Sequence, residues 1–319
     1  MAELTMLCEA DEIAYRCAFA CQKQAYIYKG KQGVIDLEAT FTKTDIINDL
    51  KNNDKEILGI DYELEPYKLI DTEDKAIETL EKYVEFLYQV TVPLDEGTHT
   101  IKDLKFYLSP SDHSNFRYKL ANTAGSKGEG YKAGRGEKPH YLELIRELLV
   151  SEYQAVEIKG YEADDALGIY SNGNDYCIMC HQDKDIDMIP GWHYNHVTQE
   201  IYYVNNQLGT LELQEKVNKS GKSYKLVGRG LVQFYAQLLQ GDSVDNIPGI
   251  KGLGAKGIYS KLKHLNSEAE LFETVREEYI KFYTLEHADR ILNECADLLW
   301  ICRVEGEIGS IYLKSKGFY

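Results

Sequence analysis

Short unbroken apolar runs alternate along this chain with segments whose apolar residues recur every three or four positions, the pattern of strands alternating with amphipathic helices. LTMLC at 4–8 is an apolar run of strand length, and EIAYRCAFACQKQA at 12–25 carries the helical period. From Tyr26 to about Ile70 charge and small residues break both periods, and no element is assigned there. Asp71 and Thr72 are N-cap types ahead of a helix on which Ile77, Leu80, Val84 and Leu87 share a face. LKFYLS at 104–109 is a second strand, followed by a polar Gly- and Lys-rich stretch over 110–138. Leu142, Ile145 and Leu149 mark a further helix, AVEI at 155–158 a strand, GYEADDALGIY at 160–170 the start of a helix, and YCIMC at 176–180 another strand. This order predicts an α/β fold with a mostly parallel central sheet and helices on both faces. Beyond Gly228 the period is wholly helical. The expected organisation is an α/β core over 1–228 and a helical region over 229–319, packed as one compact unit.

At 319 residues, 44% of them hydrophobic, the chain can bury a substantial core. No run approaches the roughly 18 apolar residues of a membrane span, and the N-terminus lacks a basic then apolar leader pattern, so a soluble cytoplasmic protein without a membrane partner is expected. Seven scattered cysteines fit free thiols. Cys177-x-x-Cys180 has the spacing of half a zinc site, but it lies in an apolar run that reads as a buried strand and no second ligand pair follows.

The net charge of −16 opposes a nucleic-acid partner only on average. Arg117 to Lys138 holds six Lys or Arg against two Glu, Lys216 to Arg229 five against none, and Asn246 to Asn266 four Lys and no acid. The acids are grouped too. In an open α/β sheet the ligand site lies outside the carboxyl ends of the strands. Glu9 and Asp11 follow the first strand, Asp112 the second, Glu162, Asp164 and Asp165 the third, and Asp183 and Asp185 the fourth; Asp242 and Asp245 lie in the helical region. So many carboxylates at one edge would repel one another unless cations lie between them. All-oxygen ligands select Mg²⁺, with Mn²⁺ as substitute. Two such ions about 3.5 to 4 Å apart support in-line hydrolysis of a phosphodiester.

GYKAGR at 130–135, GYEADDALG at 160–168, DKD at 183–185 and QLLQGDSVDNIPGIKGLGAKG at 237–257 resemble, in this order, the 5′ nuclease family. That family includes flap endonucleases, the 5′ nuclease part of bacterial DNA polymerase I and bacteriophage 5′ to 3′ exonucleases. The resemblance runs from about residue 4 to 265, and four separated motifs in register make it specific. The spacing of Asp112 to Phe116-Arg117 and the phrase MIPGWHYN at 188–195 look most like the phage enzymes.

The resemblance implies metal binding by Asp112, Glu162, Asp164, Asp165, Asp183, Asp185, Asp242 and Asp245. It implies a helical arch over about 113–136 for a 5′ single strand, with Lys132 and Arg135 on the scissile phosphate as catalytic groups and Arg117 and Lys119 on the DNA. It implies a helix-hairpin-helix at GIKGLGAKG, where Lys251, Gly252, Gly254 and Lys256 meet duplex phosphates and K⁺ sits on backbone carbonyls. The family's first motif has Asp where this chain has Glu9. Residues two apart in a strand point to one side, so Glu9 is expected as the ligand and Asp11 as its outer support.

The expectation is a metal-dependent 5′ to 3′ exonuclease or structure-specific 5′ nuclease acting on DNA with a free 5′ end, flap or nick, and on RNA–DNA hybrids. A monomer working in phage replication or recombination, in the host cytoplasm, follows from the resemblance. The alternative is a nuclease-dead protein that binds DNA structure, against which the full acid set and Lys132 argue. A phosphomonoesterase would have no need of an arch or a hairpin.

Overall fold

The computed structural model describes residues 4–30, 62–94, 97–124, 130–132, 136–205, 208–218 and 221–319, with 44 and 48. Its strands in chain order are β1 Leu4–Glu9, β2 Gln22–Gly30, β3 Tyr62–Ile70, β4 Thr91–Leu94, β5 Gly97–Leu108, β6 Val156–Glu157, β7 Cys177–His181, β8 Gly191–Asn195, β9 Glu200–Val204, β10 Thr210–Asn218 and β11 Gly221–Arg229. Seven of them share one sheet in the order β4-β5-β1-β7-β8-β9, with β6 beside β5. β5, β1, β7 and β8 are mutually parallel, β6 is parallel to β5, and antiparallel pairing enters with β4 and β9. The sheet is mostly parallel, as the alternation predicts.

β1 and β7 are apolar almost throughout because they lie side by side in the sheet interior. Met6 pairs with Ile178 and Cys8 with Cys180, and β7 is buried at every residue. Cys177 and Cys180 are therefore core residues, and all seven cysteines are buried and free.

The chain forms two compact units. One comprises Met1–Glu12, Leu87–Glu137 and Leu149–Tyr319; the other comprises Ile13–Phe86 and Lys138–Leu148. The first unit runs through the boundary expected at 228, because the helices beyond it share a core with the sheet. Leu7, Tyr107 and Met179 belong to the same apolar cluster as Phe234, Phe272, Tyr279 and Trp300. Those helices are Leu231–Gln240, Ala255–Leu262, Glu268–Tyr283, Leu285–Leu299 and Gly309–Ser315.

Three segments differ from the sequence reading. The helix predicted over 12–25 ends at Ala20, and Gln22–Gly30 pairs antiparallel with Tyr62–Ile70, inside the stretch left unassigned. The strand predicted at 104–109 begins at Gly97 and pairs with β4. The basic stretch 216–229 lies on the antiparallel pair β10–β11. β2 and β3 pair across a long sequence separation, while β4–β5 and β10–β11 are local antiparallel hairpins whose residues are largely polar, so the apolar period does not register them.

The helix Ala163–Ser171 packs on β1, β5 and β7. Its inward positions Ala163, Ala166, Leu167 and Ser171 keep helical spacing and are buried. Gly168 lets the 301–302 segment close on this helix, since a Cβ there would lie 2.3 Å from the Cys302 carbonyl oxygen.

Candidate active site

The site forms where β1 gives way to the helix Ala10–Ala20. Glu9 is the last strand residue, is 3% exposed, and accepts the amides of Asp11 at 3.2 Å and Glu12 at 2.6 Å, which caps the helix. Because the helix begins at Ala10, the strand alternation that would set Glu9 and Asp11 on one side does not apply. Asp11 turns instead to the Ser109 amide at 2.8 Å, and Ser109 Oγ accepts the Ala163 amide at 3.0 Å. The ends of β1 and β5 and the start of the helix Ala163–Ser171 are thereby tied together.

The three acids of GYEADDALG separate into three environments. Glu162 lies 2.6 Å from Lys132 Nζ and accepts Tyr131 Oη at 3.0 Å and Asn115 Nδ2 at 3.2 Å. Burial works to raise its carboxyl pKa, but the Lys132 and Arg117 charges prevail and hold it below the usual range. Asp164 faces the other acids. Burial, then Asp183 and Glu162, push its carboxyl well up.

Asp165 points into the core. One oxygen accepts Arg117 Nη2 at 2.9 Å and the Cys302 amide at 3.0 Å; the other accepts Arg117 Nη1 at 2.6 Å and the Glu162 amide at 3.0 Å. A carboxylate has about four lone-pair sites. All are engaged by these four donors, so in this structure Asp165, expected as a metal ligand, anchors Arg117.

Arg117, expected on the DNA, is held inside the protein by the same pair. It is 2% exposed, and its remaining donors reach the Leu298 and Trp300 carbonyls at 3.0 and 2.6 Å. Asp112 is exposed and accepts the Ser114 amide at 2.9 Å, and its hydrogen bonds from Ser114 hold its carboxyl below the usual range.

Past β7, Asp183 and Asp185 enter the same neighbourhood. Burial is the largest influence raising each carboxyl. Asp183 feels Glu12 and Asp245, while Asp185 feels Asp183, Asp242 and Asp245 and is pushed up to about 7. Glu9 is raised well above the usual range by burial, then by Glu12, Asp164 and Asp183. Asp242 accepts the Val244 and Asp245 amides at 2.8 and 3.3 Å and pairs with Lys184 at 3.1 Å. Burial opposes its charge, and Lys184 with these amides holds it below the usual range. The segment 130–132 is pinned beside it. The Lys132 amide donates to the Asp245 carbonyl at 3.3 Å, Asn246 Nδ2 donates to the Gly130 carbonyl at 3.0 Å, and Lys132 takes φ +58°.

The structure thus brings together Glu9, Glu162, Asp164, Asp183, Asp185, Asp242, Asp245 and Lys132. Four raised carboxyls near one another are costly in themselves, and hard divalent cations fit an all-oxygen donor set of this kind. Arg135 lies outside the described residues, as does part of the expected arch. Lys119 is exposed on the helix Phe116–Ala124. Lys251, Gly252, Gly254 and Lys256 are exposed between and along the helices Leu231–Gln240 and Ala255–Leu262, with Gly254 the N-cap of the second. Gly252 takes φ +89°, and Lys256 Nζ lies 3.7 Å over the Tyr224 ring of β11.

Sequence reading missed Glu12, whose carboxylate accepts the Gln182 amide at 2.7 Å and whose charge bears on Glu9, Asp164 and Asp183. Its signal was present: three residues after Glu9 in a helix start it shares a face with the strand end. Tyr131, Asn115 and Lys184 were also missed, and each is legible only through its partner.

No family model matches the chain. Over 161 residues it is 28% identical to a 5′–3′ exonuclease of Bacillus subtilis, covering 46% of this chain and 50% of that protein. It is 31% identical over 157 residues to a thermostable DNA polymerase I of Thermus caldophilus, covering 46% of this chain and 17% of that protein. The DNA polymerase I of Caldicellulosiruptor bescii is 29% identical over 168 residues, 47% of this chain and 18% of that protein. The chain therefore spans half or less of the length of each of these relatives. A solved structure of the bacteriophage T5 D15 protein with metal ions covers 71% of this chain and 91% of its own at TM-score 0.38 and 16% identity, an overlap too loose to bear on the site. Over just under half of its length the chain is thus similar in sequence to a 5′–3′ exonuclease and to bacterial DNA polymerases I.

Proposed function

We propose that this chain is a divalent-metal-dependent 5′ nuclease that hydrolyses phosphodiester bonds of DNA near a free 5′ end, by two-metal catalysis with Mg²⁺ or Mn²⁺. The observation that carries the reading is the convergence of Glu9, Asp164, Asp183 and Asp185 at the carboxyl ends of β1 and β7, each raised by burial and by its acidic neighbours, with Lys132 at the rim. Such a cluster is tolerable where cations bind and is hard to explain otherwise.

Glu9, Asp164, Asp183, Asp185 and Asp245 would hold the ions, with Asp242 and Glu162 at the margin. When bound, the ions lower the pKa of water and neutralise charge on the phosphoryl oxygens. Lys132 carries a charge that stabilises a phosphate entering beside the cluster, and Glu162, at 2.6 Å, holds that ammonium in place. Glu9 also holds the helix start that carries Glu12. The exposed Lys251 and Lys256, with the helix N-terminus at Gly254, suit sequence-independent contact with duplex phosphates in the manner of a helix-hairpin-helix.

The test uses DNA duplexes, flaps and RNA–DNA hybrids labelled at the 5′ or 3′ end, incubated with Mg²⁺ or with EDTA. Short 5′-labelled products formed only with Mg²⁺ support the reading. Cleavage unchanged by EDTA, or products released from the 3′ end, overturns it.

A further inference from the structure

The buried imidazoles of His181 and His193 face one another, with His181 Nε2 2.8 Å from His193 Nδ1. Each ring's other nitrogen meets a backbone carbonyl: His181 Nδ1 lies 2.9 Å from the Asp183 oxygen, and His193 Nε2 lies 2.8 Å from the Ile189 oxygen. A carbonyl only accepts, so both outer nitrogens must carry hydrogen and donate. In two neutral rings the inner nitrogens are then bare, and two lone pairs oppose each other at hydrogen-bond distance. A cation between them is required, either a proton shared by the rings or a metal ion. The rings are 1% and 0% exposed, and a buried imidazolium is costly.

Asp187 supplies a third group. Its Oδ1 lies 4.0 Å from His181 Nε2, and one ligand atom from each of the three residues lies within 4.8 Å of the others. Tyr202 donates to the Asp187 carboxylate and stacks on His193 with centroids 5.2 Å apart. The nearby positive charge, Arg229, lies 3.7 Å over the Tyr202 ring and pairs with Glu200 at 3.0 Å.

We propose that His181, His193 and Asp187 bind a zinc-class divalent ion at a site separate from the carboxylate cluster. Neutral imidazoles oriented by a carbonyl on the far nitrogen, with one carboxylate, form the donor set that selects zinc over magnesium. His181 ends β7 and its ring holds the Asp183 carbonyl, while Asp187 lies two residues past Asp185, so the ion ties together both ends of the segment carrying Asp183 and Asp185. That positioning role rests on the proposed nuclease reading; the binding site itself does not.

The experiment measures metal on the full chain without DNA, so that its failure is distinct from failure of the nuclease. Chelator-treated protein is given excess Mg²⁺ to occupy the carboxylate cluster, then titrated with Co²⁺. The expected result is one equivalent of Co²⁺ with the strong visible absorption of a four-coordinate site, displaced by Zn²⁺ and lost in His193→Gln. Absence of that band in wild type, or its persistence in His193→Gln, overturns the proposal. If His193→Gln does not fold, nitrogen-15 spectra of wild-type histidines decide. A proton bridging the two rings in protein saturated with Zn²⁺ overturns the proposal, and loss of that bridge on adding Zn²⁺ upholds it.

Discussion

Arg117 and Asp165 form a two-pronged ion pair in the protein interior, Nη1 to Oδ2 at 2.6 Å and Nη2 to Oδ1 at 2.9 Å, with the Cys302 amide closing on the same carboxylate at 3.0 Å. The pair joins the helix Phe116–Ala124, the acid-bearing helix Ala163–Ser171 and the chain after the helix Leu285–Leu299. It fixes the roll of the acid-bearing helix, and with it where Glu162 and Asp164 point.

Removing one member of a buried pair leaves the other uncompensated. Arg117→Met should destabilise the protein by about 3–5 kcal/mol, and Arg117→Met with Asp165→Leu should recover much of that loss. Urea denaturation of the single and double variants reads it. A fully stable Arg117→Met with weakened DNA binding would return Arg117 to the role its basic neighbours suggested.

Asp183→Asn combined with Asp185→Asn should abolish cleavage while DNA affinity stays equal or rises, since negative charge facing the phosphate is removed. The folded state should gain stability without metal, because both carboxyls are disfavoured by burial. Single-turnover cleavage and a binding titration check it, and wild-type cleavage by the double variant would misplace the metal site.

Much of this was legible in sequence because the signals were local. LTMLC and YCIMC are apolar almost throughout since they pair side by side in the sheet interior, and acids after such runs mark the carboxyl edge. Adjacent acids on a helix point about 100° apart, so spacing alone could not tell that Asp164 faces the cluster while Asp165 enters the core. Arg117 read as one more charge in a basic stretch because its partner lies 48 residues away. The β2–β3 pairing was invisible for a related reason: its two strands lie far apart in sequence, so neither declares its partner locally.

Glu9 should be the metal-facing acid of the first motif. It feels Asp164 and Asp183, whereas Asp11 is spent on the Ser109 amide at 2.8 Å. Glu9→Gln should raise the Mg²⁺ requirement markedly, Glu9→Asp should keep substantial activity, and Asp11→Asn should cost at most about 10- to 100-fold. Magnesium titrations of the three variants decide. A wild-type titration for Glu9→Gln with an inactive Asp11→Asn would reverse the two roles.

If Lys251 and Lys256 meet duplex phosphates, changing both to Ala should flatten the plot of log affinity against log salt by up to about 1.8, at about 0.9 per contact. Sequence preference should not change. Lys256 also lies over the Tyr224 ring, so the single Lys256→Ala variant tells phosphate contact from packing on the hairpin. An unaltered salt slope in the double variant places duplex binding elsewhere.

Metal-free protein should lose stability as pH rises through the titration of the cluster. An acid whose folded-state pKa is raised binds its proton more tightly folded than unfolded. Its contribution is complete below the unfolded value and is lost as pH climbs to the folded one. For Asp185 the folded value is about 7, so the loss falls between the ordinary carboxylate range and about pH 7, with Glu9 and Asp164 raised in the same direction. The slope approaches about 1.4 kcal/mol per pH unit for each proton by which the two states differ. Mg²⁺ should oppose the loss, stabilising more at pH 8 than at pH 5, because the ions bind the ionised carboxylates. Asp185→Asn should make the metal-free slope shallower by removing one titrating group. Urea midpoints across this range, with EDTA and with Mg²⁺, for wild type and Asp185→Asn, test it. Metal-free stability that rises with pH, or an equal gain from Mg²⁺ at both ends, would mean that the acids are not held together by charge that cations neutralise.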